Sequence, residues 1–494
     1  MHDKLRRFLS RTLPKPLKML IRLSIHLLRS LRSNTSENAE PAATHNWHWQ
    51  RAYEAYQNLD VDTALHHFHA CIRISPSDWF ARHLVALIHL QLLGDVQEAL
   101  RILRHARRWR ERHLAPAGGP FPYRFLDTFW ALQVGHIANL EHLIKREFLL
   151  GRDPKNMILY LPPSHKPANQ TLLDKLSAYI TVVDDEAKLP FPRSTMLSMM
   201  EEYFICESID GTVKHWWHAS PEIFNAWEKL DRPPLLSLSK EEAWRGCACL
   251  RELGVPENAW FVCFHVRDGG FKHAQGFSSV ESGLNAEIDT YIPAIQAVIE
   301  RGGWVIRIGD SAMPPLPTIR GAIDYAHSQL KSDWMDIYLL GACRFFVGTS
   351  SGPAYVPPLF GTPCVLTNWW PTGQRPFNSR DIYIPKLFRA GFLRRPLSFA
   401  ETMAPPIGYA LRYVHAEKFG VAPVANTAEE IREVVSEMLD RFDGKLSYTD
   451  TDQARQSAFD AVAETNLCIG NARAGRDFLR RYSGLLAGVA DYAA

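Results

Sequence analysis

Residues 332–370 read SDWMDIYLLGACRFFVGTSSGPAYVPPLFGTPCVLTNWW. The expected order is short helix, strand, small-residue turn, helix, strand. Asp336 to Ala342 is a short amphipathic helix. Cys343 to Val347 is a strand with few polar residues, as a strand covered on both faces requires. Gly348 to Gly352 is a turn of small residues and hydroxyls. Pro353 stands where a helix would begin, a position that tolerates its missing N–H. Gly361-Thr362-Pro363 ends that helix, and Cys364 to Thr367 is the next strand. A turn at a helix N-terminus meets free N–H groups and the positive end of the helix dipole. Thr349 to Gly352 is therefore a candidate seat for a phosphate-bearing ligand. The same pattern also fits an ordinary strand–helix turn in any α/β domain.

Upstream, Trp260 to Val266 (WFVCFHV) is a second apolar strand. It opens an α/β unit that begins with a helix over Lys240 to Leu253. A loop over 267–287 leads to a helix over Ile288 to Arg301, then to a strand over Trp304 to Ile308 with its turn at Gly309-Asp310. Ligands of open α/β sheets sit outside the carboxyl ends of the strands. Alternation along a strand sends His265 and Arg267 the same way, with Arg267 at the rim. From there its guanidinium could clamp a diphosphate bidentately, or instead pair with Asp268, Asp310 or Asp336. His265 reads equally as a hydrogen-bonded core histidine. Asp310 could accept from a ribose or sugar hydroxyl, or cap its own turn. Convergence of the three strand ends is more specific than any one of them.

Composition bounds the rest. The 494 residues leave room for two or three domains. With 46% apolar and 22% charged residues, the chain is an ordinary globular one. The net charge of +3 hides an asymmetry: residues 1–32 hold nine Lys/Arg and one acid, which leaves 47 basic and 52 acidic side chains, or −5, in the remainder. A nucleic-acid partner for the body is not favoured. The eight cysteines are scattered without a CxxC pair, which suggests a reduced cytosolic setting and neither a disulfide framework nor a zinc site. No apolar run approaches the roughly 18 residues of a spanning helix.

In chain order, five segments are expected. Residues 1–45 form a basic amphipathic segment and a polar linker. Such a segment suits an anionic membrane surface, at the inner face of the plasma membrane; a helix packed on the body and an organelle-targeting segment share its composition. Residues 46–116 are helical and repeat, with Ala64 and Ala99 at equivalent places 35 residues apart. They resemble a pair of tetratricopeptide-type repeats, whose expected role is docking a protein partner. Residues 124–237 begin a β/α alternation: strand Phe129 to Val134, turn Gly135-His136, helix Ile137 to Leu150, strand Met157 to Leu161, helix Leu172 to Tyr179, strand Ile180 to Val183. His136 is a candidate acceptor-side group or general base. Residues 238–445 hold the unit described above, loop-rich from Pro371 to about Gly408. Residues 446–494 close the chain, with a helix over Ala472 to Leu485.

These residues carry a resemblance. Ser350 to Pro363, with Ser-Gly-Pro and Gly-Thr-Pro at matching spacing, resembles the donor-site stretch of heptosyltransferase-like GT-B glycosyltransferases. His265-Val266-Arg267 is similar to the His-x-Arg strand end of fucosyltransferases, where the Arg meets the nucleotide diphosphate. The segments CFHVRD, GGWVIRIGD, DYAHS, KSDWMD, GTSSGP and LTNWWP together resemble one group of uncharacterised bacterial glycosyltransferases. The resemblance covers roughly residues 125–440. It implies two Rossmann-like domains facing across a cleft, preceded by the helical repeats. It also implies a donor site at Arg267, Asp310, Ser350, Ser351 and Gly352, to which His265, Asp336 and Thr349 from the same segments are added. Many GT-B enzymes place a Glu in the helix after the donor turn; here Tyr355-Val356-Pro357-Pro358 stands there.

The expected function is thus transfer of a sugar from a nucleotide-sugar co-substrate to an envelope glycan or lipid-linked acceptor, with inversion, for use in polysaccharide biosynthesis. His136 or Asp268 is the candidate base. No Asp-x-Asp sits at a strand end, so neither metal nor other cofactor is expected; Arg267 and the turn's N–H groups would stabilise the departing diphosphate. Two other readings compete: a non-hydrolysing sugar-nucleotide epimerase, and a repeat-containing scaffold with an inactive GT-B part.

Overall fold

A computed structural model describes residues 39–76, 78–114, 123–196, 199–201, 205–268, 284–391, 396–409, 413–466 and 468–486. The basic segment 1–32, the boundary stretch 115–122 and most of the loop after Asp268 lie outside the described residues. The chain divides into two units. Among the described residues, one holds those up to 125 with those between 186 and 201, and the other holds those from 126 to 185 and from 205 onward.

The first unit is built on four helices: α1 (Ala39–Gln57), α2 (Val61–Ile74), α3 (Trp79–Gln91) and α4 (Val96–Leu114). Asp60 and Asp78 cap α2 and α3 by accepting the Thr63 and Ala81 N–H groups. Ser75-Pro76 follows the end of α2, as a residue without an N–H donor requires. Ala64, Phe68, Cys71, Ala99, Leu103 and Ala106 are all buried, so the repeating apolar positions do form the packed faces of these helices.

The second unit contains two α/β lobes. In the first, α5 (Val134–Ala138) and α6 (Leu140–Leu149) precede β2 (Met157–Tyr160), α7 (Gln170–Leu176) and β3 (Thr181–Val183). Strands β2 and β3 pair in parallel. Strand β1 (Arg124–Leu126) lies where the chain passes from one unit to the other. The strand expected over Phe129 to Val134 is a 3-10 turn, Thr128–Ala131. Its cause is local: the Asp127 carboxylate accepts the Phe129 N–H and starts a turn. An antiparallel pair, β4 (Ile205–Glu207) and β5 (Val213–His215), then leads into α8 (Trp216–Lys229).

The second lobe begins with α9 (Lys240–Glu252), started by a Ser239/Glu242 capping box. Its strands are β6 (Phe261–His265), β7 (Trp304–Arg307), β8 (Ala322–Asp324), β9 (Phe346–Gly348), β10 (Cys364–Trp369), β11 (Ile382–Pro385) and, after the antiparallel pair β12 (Leu387–Ala390) and β13 (Val421–Val424), β14 (Arg473–Ala474). The seven-stranded sheet runs β14-β11-β10-β9-β6-β7-β8, every neighbouring pair parallel. Strands β6, β9, β10 and β11 are wholly buried, as a parallel sheet covered by helices demands, while the edge strand β8 is half-buried. Helices α10 (Ile292–Glu300), α11 (Asp333–Ala342) and α12 (Ala428–Phe442) belong to this lobe, and α13 (Asp450–Thr465) and α14 (Arg476–Arg481) close the chain. The α/β class read from the sequence is the class found.

Chain order and sheet order together locate a reversal. The chain starts at β6 in mid-sheet, steps outward to β7 and β8, then returns to β9 on the other side of β6 and steps outward again. The point between β6 and β9 is the topological switch point, where the crossovers diverge and leave a crevice at the carboxyl ends.

Two further helix expectations are corrected. The helix expected after Pro353 is a pair of 3-10 turns, Gly352–Tyr355 and Pro357–Phe360. Pro357 and Pro358 lack the N–H groups that an α-helix would direct to residues 353 and 354. The Ala354 carbonyl so released accepts the Cys364 thiol at 3.8 Å. Without an α-helix there is no macrodipole aimed at Thr349–Gly352. The stretch from Pro371 to about Gly408, expected as loop-rich, also contributes β11 and β12; the closing helix over Ala472 to Leu485 shortens to α14 because Arg473–Ala474 joins the sheet as β14.

Candidate functional site

The register of the sheet places His265 beside Gly348, so the segments after β6 and β9 leave the sheet side by side at the switch point. The Arg267 N–H donates to Thr349 Oγ1 at 3.3 Å, and Arg267 Nη1 donates to the Ser350 carbonyl at 3.4 Å. His265 Nδ1 and Ser351 Oγ share a 3.0 Å hydrogen bond, and the Ser351 hydroxyl also reaches the Thr349 carbonyl at 3.2 Å. Ser350 Oγ accepts the Trp370 N–H at 3.0 Å. All three hydroxyls of the turn therefore bond to the protein and fix its shape. What the turn offers outward is its backbone: among the described residues, no acceptor takes the N–H groups of Ser350, Ser351 or Gly352.

Arg267 is the unusual group here. Burial alone holds its guanidinium down at about 10. Among the described residues no carboxylate lies within ion-pair distance of it, whereas Arg307, one strand away, has Asp324 at 2.9 Å. The salt-bridge alternatives for Arg267 are not what forms. A half-buried guanidinium without an anion is an incomplete pair, because withdrawing a charge from water without compensation is unfavourable. A bound anion would complete it.

The other candidates fall into place around this centre. His265 is buried, and burial first, then the neighbouring Arg267 and Arg307 charges, push its imidazole down to about 3. It is a neutral prop for Ser351. Asp310 accepts the Ala312 N–H at 2.9 Å and so caps its own turn. Asp336, expected on the donor side, sits in the first turn of α11 and is paired with Lys331 at 3.1 Å; burial raises its carboxyl above the ordinary range. That pairing commits it to the helix start. Asp268 follows Arg267 directly, with one carboxylate oxygen shielded from solvent.

His136 stands on α5 of the other lobe. Its Nδ1 bonds to the Phe129 carbonyl at 3.1 Å, its ring lies 4.3 Å from the Phe129 ring, and burial pushes it down to about 4. The preceding residue, Gly135, touches Gly352. The sequence thus assigned His136 to the lobe facing the turn, and the structure brings its neighbour into contact with the turn's last residue. Tyr355, at the position of the Glu found in many GT-B enzymes, is half-buried; it lies 3.6 Å from a Cβ built on Gly135 and stacks on Phe377.

Two residues at this rim escaped the sequence reading. Lys386, the first residue after β11, is buried, donates from Nζ to the Asn285 carbonyl at 3.0 Å and has no carboxylate partner among the described residues. Trp370, the first after β10, has a buried indole N–H without an acceptor among them. A lysine closing an apolar strand was the available signal, but DIYIPK was read as loop. Among the described residues, no cluster of three or more His, Cys, Asp or Glu side chains could hold a metal ion, and no helix is long and apolar enough to cross a membrane.

No protein-family model and no curated protein matches the chain. Among solved structures, partial superpositions are found with a family 9 glycosyl transferase from Veillonella parvula (13% identity, TM-score 0.33, covering 55% of this chain and 89% of that one). A second is with the dodecameric iron-containing heptosyltransferase TibC of enterotoxigenic E. coli, in complex with ADP-D-beta-D-heptose (13%, TM-score 0.29, 50% and 58%). A third is with the E. coli heptosyltransferase WaaC with ADP (9%, TM-score 0.27, 64% and 98%).

Proposed function

We propose that the second unit is a GT-B glycosyltransferase that takes a nucleotide-activated sugar at the carboxyl edge of the seven-stranded sheet. The observation that carries this is Arg267: a half-buried cation at the switch point with no carboxylate partner among the described residues, beside three backbone N–H groups with no acceptor among them. That set suits an anion with several oxygens, and a diphosphate ester is such an anion. An acceptor hydroxyl attacks the anomeric carbon as the bond to the diphosphate oxygen breaks. Charge builds on the departing diphosphate, where Arg267 and the Ser350–Gly352 N–H groups stabilise it. Neither a metal nor another cofactor enters this step.

His136, from the first lobe, is the acceptor-side residue, and Asp268 the alternative base. His136 is neutral at neutral pH and so able to accept a proton, though weakly. The reaction proceeds with inversion, and the acceptor is a glycan or lipid-linked saccharide. Residues 1–32 hold the chain against an anionic membrane surface, and the helices of the first unit dock a protein partner. A thermal-shift screen of the full chain against the nucleoside diphosphates and their sugars tests the reading. Stabilisation by one base's diphosphate is expected; stabilisation by none would overturn it.

A further inference from the structure

Lys386 and Arg267 lie on one closed circuit of bonds. Arg267 Nη1 donates to the Ser350 carbonyl at 3.4 Å, and Ser350 Oγ accepts the Trp370 N–H at 3.0 Å. The adjoining Trp369 carbonyl accepts the Lys386 N–H at 3.1 Å. Lys386 Nζ donates to the Asn285 carbonyl at 3.0 Å, and the next N–H, of Ala286, returns to the Arg267 carbonyl at 2.9 Å. The circuit fixes two cations on the same rim of the sheet, half-buried Arg267 and buried Lys386, each without a carboxylate among the described residues. The backbone of Trp370 lies on the circuit, and its ring is buried against Phe388. An ammonium has three donors, and Asn285 takes one.

Elementary charge matching says what such a pair receives. The diphosphate of a nucleotide sugar carries about two negative charges at neutral pH, one on each phosphoryl group. Arg267 balances one of them, which leaves a second unbalanced in a site shielded from water, where an uncompensated charge is costly. We infer that Lys386 is the second cation of this site, so that the ligand's two phosphoryl groups are held separately, one by Arg267 and one by Lys386. This rests on the diphosphate reading above. It adds a residue from β11, two strands beyond the β9 turn, and assigns to a lysine the charge that a divalent metal carries in other diphosphate sites.

The test uses inorganic pyrophosphate and orthophosphate as probes, titrated calorimetrically into the full chain. Wild type is expected to bind pyrophosphate at least about tenfold more tightly than orthophosphate, as a second charge-assisted contact would give. Lys386→Met keeps most of the stem and removes the charge, and is expected to lose most of that margin; Lys386→Arg is expected to keep part of it. A second measurement needs no variant: pyridoxal 5′-phosphate followed by borohydride should label Lys386, and pyrophosphate should suppress the labelling. A margin within threefold of wild type in Lys386→Met, or labelling indifferent to pyrophosphate, overturns the inference. If Arg267→Met loses pyrophosphate while Lys386→Met does not, this inference alone falls. If neither variant loses it, the diphosphate reading falls too.

Discussion

Gly135 and Gly352 meet backbone to backbone where the two lobes of the second unit touch. A Cβ built on Gly135 would stand 2.9 Å from Gly352 Cα, and one built on Gly352 would stand 2.9 Å from Gly135 N. Neither neighbour is a side chain that can swing aside. The contact joins α5, which carries His136, to the end of the Thr349–Gly352 turn. Gly135→Ala is therefore expected to push the lobes apart, at a cost of about 1–3 kcal/mol. Chemical denaturation would measure that cost. Sugar transfer should fall more than donor binding, because the change shifts His136 relative to the turn while leaving Arg267 in place. Unchanged stability would mean the lobes do not meet this way in solution.

Arg267 should behave as a binding residue that weakens the free protein. Its charge is half-buried without a carboxylate among the described residues, so Arg267→Met is expected to unfold at the same temperature as wild type or higher when no ligand is present. A structural arginine would do the opposite. A fall of more than about 4 °C, the shift that roughly 1–2 kcal/mol produces, would assign Arg267 to the fold.

Arg307 provides the contrast. Its guanidinium is buried, pairs with Asp324 at 2.9 Å and donates to the Pro314 carbonyl at 3.0 Å. The other Asp324 oxygen accepts the Leu316 N–H and meets His327, both at 2.8 Å. This network ties the loop carrying Asp310 to the sheet edge. Asp324→Ala strands the Arg307 charge and should cost about 3–5 kcal/mol, read as a lowered denaturant midpoint.

The two site histidines give a pH signature. Unfolded, both titrate near 6.5; folded, burial holds His265 at about 3 and His136 at about 4. Between those values and 6.5 the unfolded chain binds more protons than the folded one, so stability rises with pH there. Their contribution is complete above pH 6.5. It declines as pH falls, by up to about 2 kcal/mol per ring at pH 5. His265→Asn should lose less stability than wild type between pH 7.5 and 5.0; an equal loss in both would show that His265 is not buried neutral.

The convergence of Arg267 with Thr349–Gly352 was legible because WFVCFHV and CRFFV are apolar runs whose polar ends can point only at a rim. The choice between a salt-bridged and an unpaired Arg267 was not legible, since Asp268, Asp310 and Asp336 were all within plausible reach. Folding settled it locally: Asp310 turned to the Ala312 N–H and Asp336 to Lys331. The helix after Pro353 was misread because Gly-Pro resembles a helix start, while the decisive pair, Pro357-Pro358, lies a turn later. Lys386 was hidden because β11 is only four residues long, Ile382–Pro385, and ends in a proline. Its standing as a site residue comes from Asn285 and Trp369, far away in sequence.

The central claim is that Arg267 receives the diphosphate of a nucleotide-sugar donor. The direct measurement is calorimetric titration of wild type and Arg267→Met with the nucleoside diphosphate that stabilises the chain in the thermal-shift screen. One lost charge-assisted contact in a shielded site corresponds to about 1.5–3 kcal/mol, so affinity should drop roughly 10- to 100-fold in a variant that stays folded. Affinity within about threefold of wild type would contradict the account.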